Sequence, residues 1–287
     1  FLPNGDMLIS ERSGSLYIFS GGKLSDPLEG VPRVMAIGQG GLLDICLHPD
    51  YDRNGWIYFS YSYLIDGKGK PTGNTAIMRA RLKDNSLTDQ DIIFMGEPAT
   101  DRNYHFGSKI AFDGKGHIFF GIGDRGQHFD FPQKLDNHNG KIHRLNDDGS
   151  IPADNPFVNT PGAMTSVYSY GHRNPQGTCI DPVTGELWVS EHGPRGGDEL
   201  NLIRPGVNYG WPVISYGINY DGTVLTNLTG KEGMEQPVFY WTPSIGPCGM
   251  TFVTGDRYPD WKNNILLGSL PLKHLERVVM KDNAVIH

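Results

Sequence analysis

The strongest constraint on the fold of this chain is a short unit that recurs along it. Each copy is a turn rich in Asp, Asn, Pro and Gly, then an apolar strand, then a second polar turn. Copies lie at 2–12 (LPNGDMLISER), 48–62 (HPDYDRNGWIYFSYS), 112–126 (FDGKGHIFFGIGDRG), 181–193 (DPVTGELWVSEHG) and 258–270 (YPDWKNNILLGSL). Their degenerate core is D/N-x-x-G-x followed by three apolar residues, a turn feeding a β-strand. No apolar stripe at i, i+3, i+4, i+7 runs for three turns, so helix is scarce. Turn–strand units arise in any all-β protein, but copies spaced by roughly 50 to 80 residues suit a propeller with long loops better than a sandwich. In a propeller, loops from one end of every blade converge over the central channel. A site there draws its residues from widely separated parts of the sequence.

Four polar loops border these strands. Asn103–Lys109 (NYHFGSK) precedes a strand at Ile110–Phe112, and Gly123-Asp124-Arg125-Gly126 follows one at His117–Gly121. His172, Arg173 and Asn174 precede a strand at Leu187–Ser190, and Glu191–Glu199 follows it with Gly193, Gly196 and Gly197 among its charges. Loops with this many charged groups and this much backbone freedom usually line a site. His105 is a candidate general base, because imidazole is largely neutral at pH 7 and accepts a proton. A single His is more often structural, and only a partner would single it out. Asp124 is a candidate orienting carboxylate; an Asx-turn is an equal alternative for an Asp in a Gly-Asp-x-Gly loop. Arg173 offers a planar, permanent cation suited to a carboxylate or to an oxygen that gains negative charge. Asn174 adds a neutral donor beside it.

Composition removes several function classes. Net charge is −7, with basic residues scattered rather than clustered, which argues against a nucleic-acid partner. No run approaches the roughly 20 apolar residues that a spanning helix needs, so membrane insertion is not expected. The three cysteines, Cys46, Cys179 and Cys248, have no CxxC spacing and read as small buried apolar residues. His138, His143 and His192 lack HxxxH or HExxH spacing, so zinc is poorly supported. The Asp147-Asp148-Gly149 turn lacks the ligand spacing of an EF-hand. No GxGxxG opens a helix, and there is no GxSxG.

Seven segments together resemble the glucose/sorbosone dehydrogenase family, and within it the soluble pyrroloquinoline quinone (PQQ)-dependent aldose sugar dehydrogenases. They are GQGGLLDICLHPDY (38–51), NYHFGSKIAFDGKGHIFFGIGDRG (103–126), NGKIHRLNDDGSIPADNPF (139–157), YGHRNPQG (170–177), SEHGPRGGDELNLI (190–203), NYGWP (208–212) and PVFYWTPSIGPCGM (237–250). The resemblance implies a six-bladed β-propeller in one domain over 1–287, with PQQ bound over the channel at one end. It also implies oxidation of an aldose at C1 to a lactone by hydride transfer to PQQ, with an external electron acceptor and a periplasmic or secreted location. By the same resemblance His105 is the base and Asp124 its acidic partner, while Arg173 and Asn174 contact the quinone. The backbone carbonyls of Gly193 and Pro194 would hold a Ca²⁺ that also binds PQQ, carbonyl oxygen being a suitable hard ligand. Arg195, Asp198 and Glu199 then read as supporting structure.

Two departures from the family pattern stand out. The chain starts at Phe1 partway through a strand and stops at His287 before an Arg-x-Arg-Asp-type motif, so an incomplete propeller, open at both ends, is expected. For the family's cofactor-binding lysine, Lys231 is a weak candidate. Two alternatives to the enzyme are a non-catalytic propeller that serves as a binding module and a calcium-dependent sugar lactonase. The lactonase would want carboxylate side chains, rather than backbone carbonyls, on its metal.

Overall fold

Each copy of the turn–strand unit opens into one antiparallel sheet. The computed structural model describes residues 1–65, 67, 69–126, 129–281 and 284–286. The first sheet holds β1 (Met7–Glu11), β2 (Ser15–Ser20) and β3 (Lys23–Leu24). The second holds β4 (Leu42–Leu47), β5 (Trp56–Ile65), β6 (Thr72–Lys83) and β7 (Ser86–Met95). In the third are β8 (Ile110–Phe112), β9 (His117–Ile122), β10 (Lys141–Asn146) and β11 (Val167–Tyr170). The fourth comprises β12 (Pro175–Ile180), β13 (Leu187–Glu191), β14 (Asp198–Ile203) and β15 (Phe239–Trp241). The fifth comprises β16 (Pro247–Phe252), β17 (Ile265–Ser269) and β18 (His274–Val278). A ribbon of two-residue strands, β19 (Met280–Lys281) and β20 (Ala284–Val285), follows. Within every sheet the strands pair in chain order, and α1 (Tyr51–Asn54) is the one α-helix among the described residues.

The repeat therefore marks an equivalent strand in each sheet: β1, β5, β9, β13 and β17. In β5, β9 and β13 apolar residues run consecutively because both faces of those strands are covered, whereas β1 leaves Ile9 exposed and β17 sends only Ile265 and Leu267 into a core. On β5, Ile57, Phe59 and Tyr61 pack with Leu16 and Leu28 on one side, while Tyr58 packs with Ile110, Ile118 and Phe120 on the other. On β9, Ile118, Phe120 and Ile122 face the second sheet, and Phe119 turns to Leu187 and Val189 of the fourth. Trp188, between those two, meets Met250, Ile265 and Leu267 of the fifth. Successive side chains of a strand point to opposite faces, so β5, β9 and β13 each feed two cores. A fully buried Phe or Ile contributes about 1.5–3 kcal/mol relative to exposure, which makes these sheet-to-sheet cores the main stabilising term.

The first strands of neighbouring sheets meet, β4 with β8, β8 with β12 and β12 with β16, which is the radial arrangement of a propeller. The expected all-β propeller is present, but its blades number five among the described residues, not six. Each blade is seeded by one copy of the repeat, and there are five copies. The β19–β20 ribbon pairs only Met280 with Val285 and Lys281 with Ala284, too little surface to cover a blade face. The cysteines are free but half-buried rather than buried, with Cys46 and Cys179 packed at the edges of two of the cores.

Candidate active site

Loops from six connections close over one end of the propeller and line a cavity of about 450 Å³. Gln39 enters from the β3–β4 connection, Tyr104 and His105 from β7–β8, and Gly126 and Phe129 from β9–β10. Arg173 comes from β11–β12 and Pro194 from β13–β14. Trp211, Asn219 and Tyr220 belong to the long 204–238 excursion between β14 and β15. The volume falls within the range of small-molecule and cofactor sites.

His105 and Asp124, predicted as base and partner, are in contact. His105 Nδ1 donates to Asp124 Oδ1 at 2.6 Å, and the carboxylate is 1% exposed. A carboxylate only accepts, so it holds the Nδ1–H tautomer and leaves the lone pair on Nε2. Oδ1 of Asp124 also accepts from Gly126 N, two residues on, at 2.7 Å. The Asx-turn and the imidazole partner are thus both realised by one carboxylate. Burial lowers the pKa of His105 most; Asp124 opposes this, and Arg173 and Arg125 lower it further. The imidazole is therefore neutral and basic at neutral pH. His105 (φ 59°), Ser108 (φ 92°) and Arg125 (φ 60°) are non-glycine residues in left-handed backbone around this pair. Such conformations cost about 1–3 kcal/mol each and concentrate at functional sites.

Arg173 is the cation of the cavity wall. Its Nη1 donates to His192 O at 3.0 Å and its Nη2 to Tyr220 Oη at 3.3 Å. The guanidinium lies 5.3 Å from the centre of the Trp211 ring. No carboxylate among the described residues pairs with it, so its charge is available to a ligand. Its two neighbours do not reach the cavity. His172 is fully buried, bonded to Glu191 Oε1 and Ser169 Oγ. Asn174 is buried too, and its Oδ1 accepts from Gln176 Nε2 at 2.9 Å. Lys231 is exposed and does not line the cavity.

Adjoining the main cavity is a smaller one, lined among others by Gly193, Glu191 and Glu199; Pro194, Arg173 and Trp211 border both. Gly193 is required because the loop folds back on itself there: a Cβ would collide with the carbonyl oxygens of Gly196 and Gly197. Asp198 clamps this loop. It accepts from Gly193 N (2.9 Å), Ser244 Oγ (3.1 Å), Ile245 N (2.8 Å) and Gly246 N (2.7 Å). Asp198→Ala strands the buried amides of Gly193 and Ile245, at about 1–3 kcal/mol each, and the half-buried one of Gly246, so a loss of at least about 2 kcal/mol is expected in denaturant unfolding. A loss below about 1 kcal/mol would show that the clamp lies elsewhere.

Glu199 has more than a supporting place. It sits directly opposite Glu191 in the β13–β14 ladder, a like-charge pair that an ordinary sheet avoids. Asn201 Nδ2 bridges the two, at 3.0 Å to Glu191 and 3.1 Å to Glu199. Burial, then the charges of Glu191 and Asp198, push Glu199 up to about 8. Glu191 is already engaged by His172, Arg173 N and Asn201. This acidic excess beside Gly193 and Pro194 suits a cation.

Gln39, Trp211, Tyr220 and Glu191 were not singled out from sequence. Gln39 Oε1 accepts from His105 N at 2.8 Å. It and Trp211 lie in the motifs at 38–51 and 208–212, where a polar or aromatic residue flanked by glycine was the available signal.

The sequence model of the family described as Glucose / Sorbosone dehydrogenase matches residues 1–287. The aldose sugar dehydrogenase YliI of Escherichia coli (strain K12) is 44% identical over 290 residues, 99% of this chain and 76% of that protein. A crystal structure of a glucose dehydrogenase superposes with a TM-score of 0.95 at 41% identity, covering 100% of this chain and 84% of the other. The PQQ-bound aldose sugar dehydrogenase of Streptomyces coelicolor superposes with a TM-score of 0.78 at 31% identity, covering 99% and 77%.

Proposed function

The chain belongs to the glucose/sorbosone dehydrogenase family, and on that premise we propose that it is a PQQ- and calcium-dependent dehydrogenase of aldose sugars. The observation that carries this reading is that His105, held by Asp124, lines one cavity with Arg173, which pairs with no carboxylate among the described residues. The cavity suits the cofactor: Tyr104, Trp211, Tyr220 and Phe129 are aromatic walls for a planar ring system, and Arg173 is a cation for an anionic one. Gly193 and Pro194 are the proposed carbonyl ligands of the calcium, and Glu199, pushed up to about 8, would give up its proton only as a cation arrives beside it.

In this reading His105 Nε2 takes the proton of the C1 hydroxyl of the aldose. Asp124 stabilises the imidazolium that results and keeps the ring in its orientation. Arg173 presents N–H donors where negative charge develops. PQQ, when bound, supplies the two-electron acceptor for the C1 hydride, so that proton and hydride together leave the lactone. An external electron acceptor and a periplasmic or secreted location belong to the same proposal. Among the described residues no helix is long and apolar enough to cross a membrane.

The test is reconstitution. Purified protein given PQQ and Ca²⁺ is expected to reduce an artificial dye when aldoses are added, and to lose that activity when a chelator removes the metal. No dye reduction together with no retained quinone absorbance would favour the binding module. The acidic groups beside Pro194 favour the lactonase enough to include it as a control. Asp198 and Glu191 are each occupied by several protein donors, however, which leaves Glu199, held by Asn201 Nδ2, as the least engaged of these three carboxylates. Lactone hydrolysis with Ca²⁺ alone would overturn the dehydrogenase reading.

A further inference from the structure

Asp124 is bound by a third side chain that lies far away in sequence. Its Oδ2 accepts from Trp211 Nε1 at 2.7 Å, across 87 residues, while Oδ1 is held by His105 and Gly126 N. The same indole lies under the Arg173 guanidinium at 5.3 Å. Asp124 and Arg173 are close along the backbone, with Asp124 N donating to Arg173 O at 2.8 Å. Both residues are buried, at 0% and 7% exposed. Opposite charges in a water-poor wall attract strongly and would ordinarily pair. Here they do not: the carboxylate turns to His105 and the guanidinium to His192 O and Tyr220 Oη.

We propose that Trp211 is a positioning residue that keeps this ion pair from forming. Its N–H occupies the second oxygen of Asp124 and its ring face carries Arg173, so the carboxylate is reserved for His105 and the cation for the ligand. The proposal rests on the dehydrogenase reading for its functional meaning, but not for its geometry. Around His105 the charged and titratable neighbours are Asp124, Arg173, Arg125 and His192, with the Tyr104 ring at 5.1 Å. Trp211→Phe keeps a smaller aromatic face under Arg173 and deletes the donor. The carboxylate then concentrates its charge on the remaining His105 N–H and raises the proton affinity of the imidazole.

The experiment is a titration of isotopically labelled His105 by NMR in protein free of cofactor, compared between wild type and Trp211→Phe. The midpoint is expected to rise by about one pH unit, a tenfold change in proton affinity. In the reconstituted enzyme the acid limb of kcat should move up by the same amount, with KM for the sugar changed less than about threefold. An unchanged midpoint, or an activity loss equal at every pH, would overturn the proposal. If the variant does not fold, wild type carries the test. One of the five tryptophan indole N–H signals must then move with the His105 midpoint, and the absence of any such signal overturns the idea. Because the titration needs no turnover, a wild-type protein that reduces no dye would sink the dehydrogenase reading without touching this one.

Discussion

His105→Gln is expected to lower sugar-dependent dye reduction by about 10²–10⁴-fold while leaving retained quinone near the wild-type level. Glutamine has nearly the reach of histidine, and its amide N–H can still donate to Asp124 Oδ1, where His105 Nδ1 donates at 2.6 Å. The wall therefore stays closed, and Arg173 and the aromatic residues of the cavity are untouched. What disappears is the lone pair on Nε2, since an amide oxygen does not accept a full proton near neutral pH. The same logic sets the pH profile. Burial together with Arg173 and Arg125 lowers the imidazole against the pull of Asp124. The acid limb of kcat/KM in wild type should consequently lie below the ordinary imidazole value, with activity lost only as pH falls through it. Near-normal turnover in the variant, at saturating sugar, would remove His105 from the chemistry.

The fold was legible in the repeat, because a strand covered on both faces must be apolar throughout and must sit between turns. Counting the repeat also counted the blades: five copies, five sheets. The sixth blade was an expectation from family resemblance alone, and among the described residues only Met280–Lys281 and Ala284–Val285 pair beyond the fifth sheet. His105, Asp124 and Arg173 stood out because a charged side chain in a glycine-flanked loop is hard to explain structurally. Trp211 did not, since its bond to Asp124 spans 87 residues and depends on the path of the 204–238 excursion. Glu199 read as supporting structure and Glu191 was not singled out. Only the register of β13 on β14 sets them face to face, and that register depends on a six-residue connection whose shape Gly193 and Asp198 determine. A local rule broken in this way is a mark of a site rather than of a scaffold.

Arg173 should be the second most sensitive position. Arg173→Met keeps the aliphatic stem against Trp211 and removes the cation, so kcat is expected to fall about 10²–10³-fold, the usual cost of one donor to developing negative charge. Retention of the quinone should weaken as well, which separates this variant from His105→Gln. A further consequence follows from sign. Arg173 lowers the proton affinity of His105, so its removal lets the imidazole titrate higher, and the acid limb of the rate moves up. Loss of the cation therefore damages the reaction twice, once at the oxygen that gains charge and once at the base. Arg173→Lys tests whether charge alone suffices. An ammonium can restore the field on His105 and bring the acid limb back. It cannot donate simultaneously to His192 O, Tyr220 Oη and a ligand through a planar fork. The expected result is a restored pH profile with most of the kcat deficit remaining. Full recovery of kcat in Arg173→Lys would mean that the site uses a point charge, and that the geometry of the guanidinium is incidental.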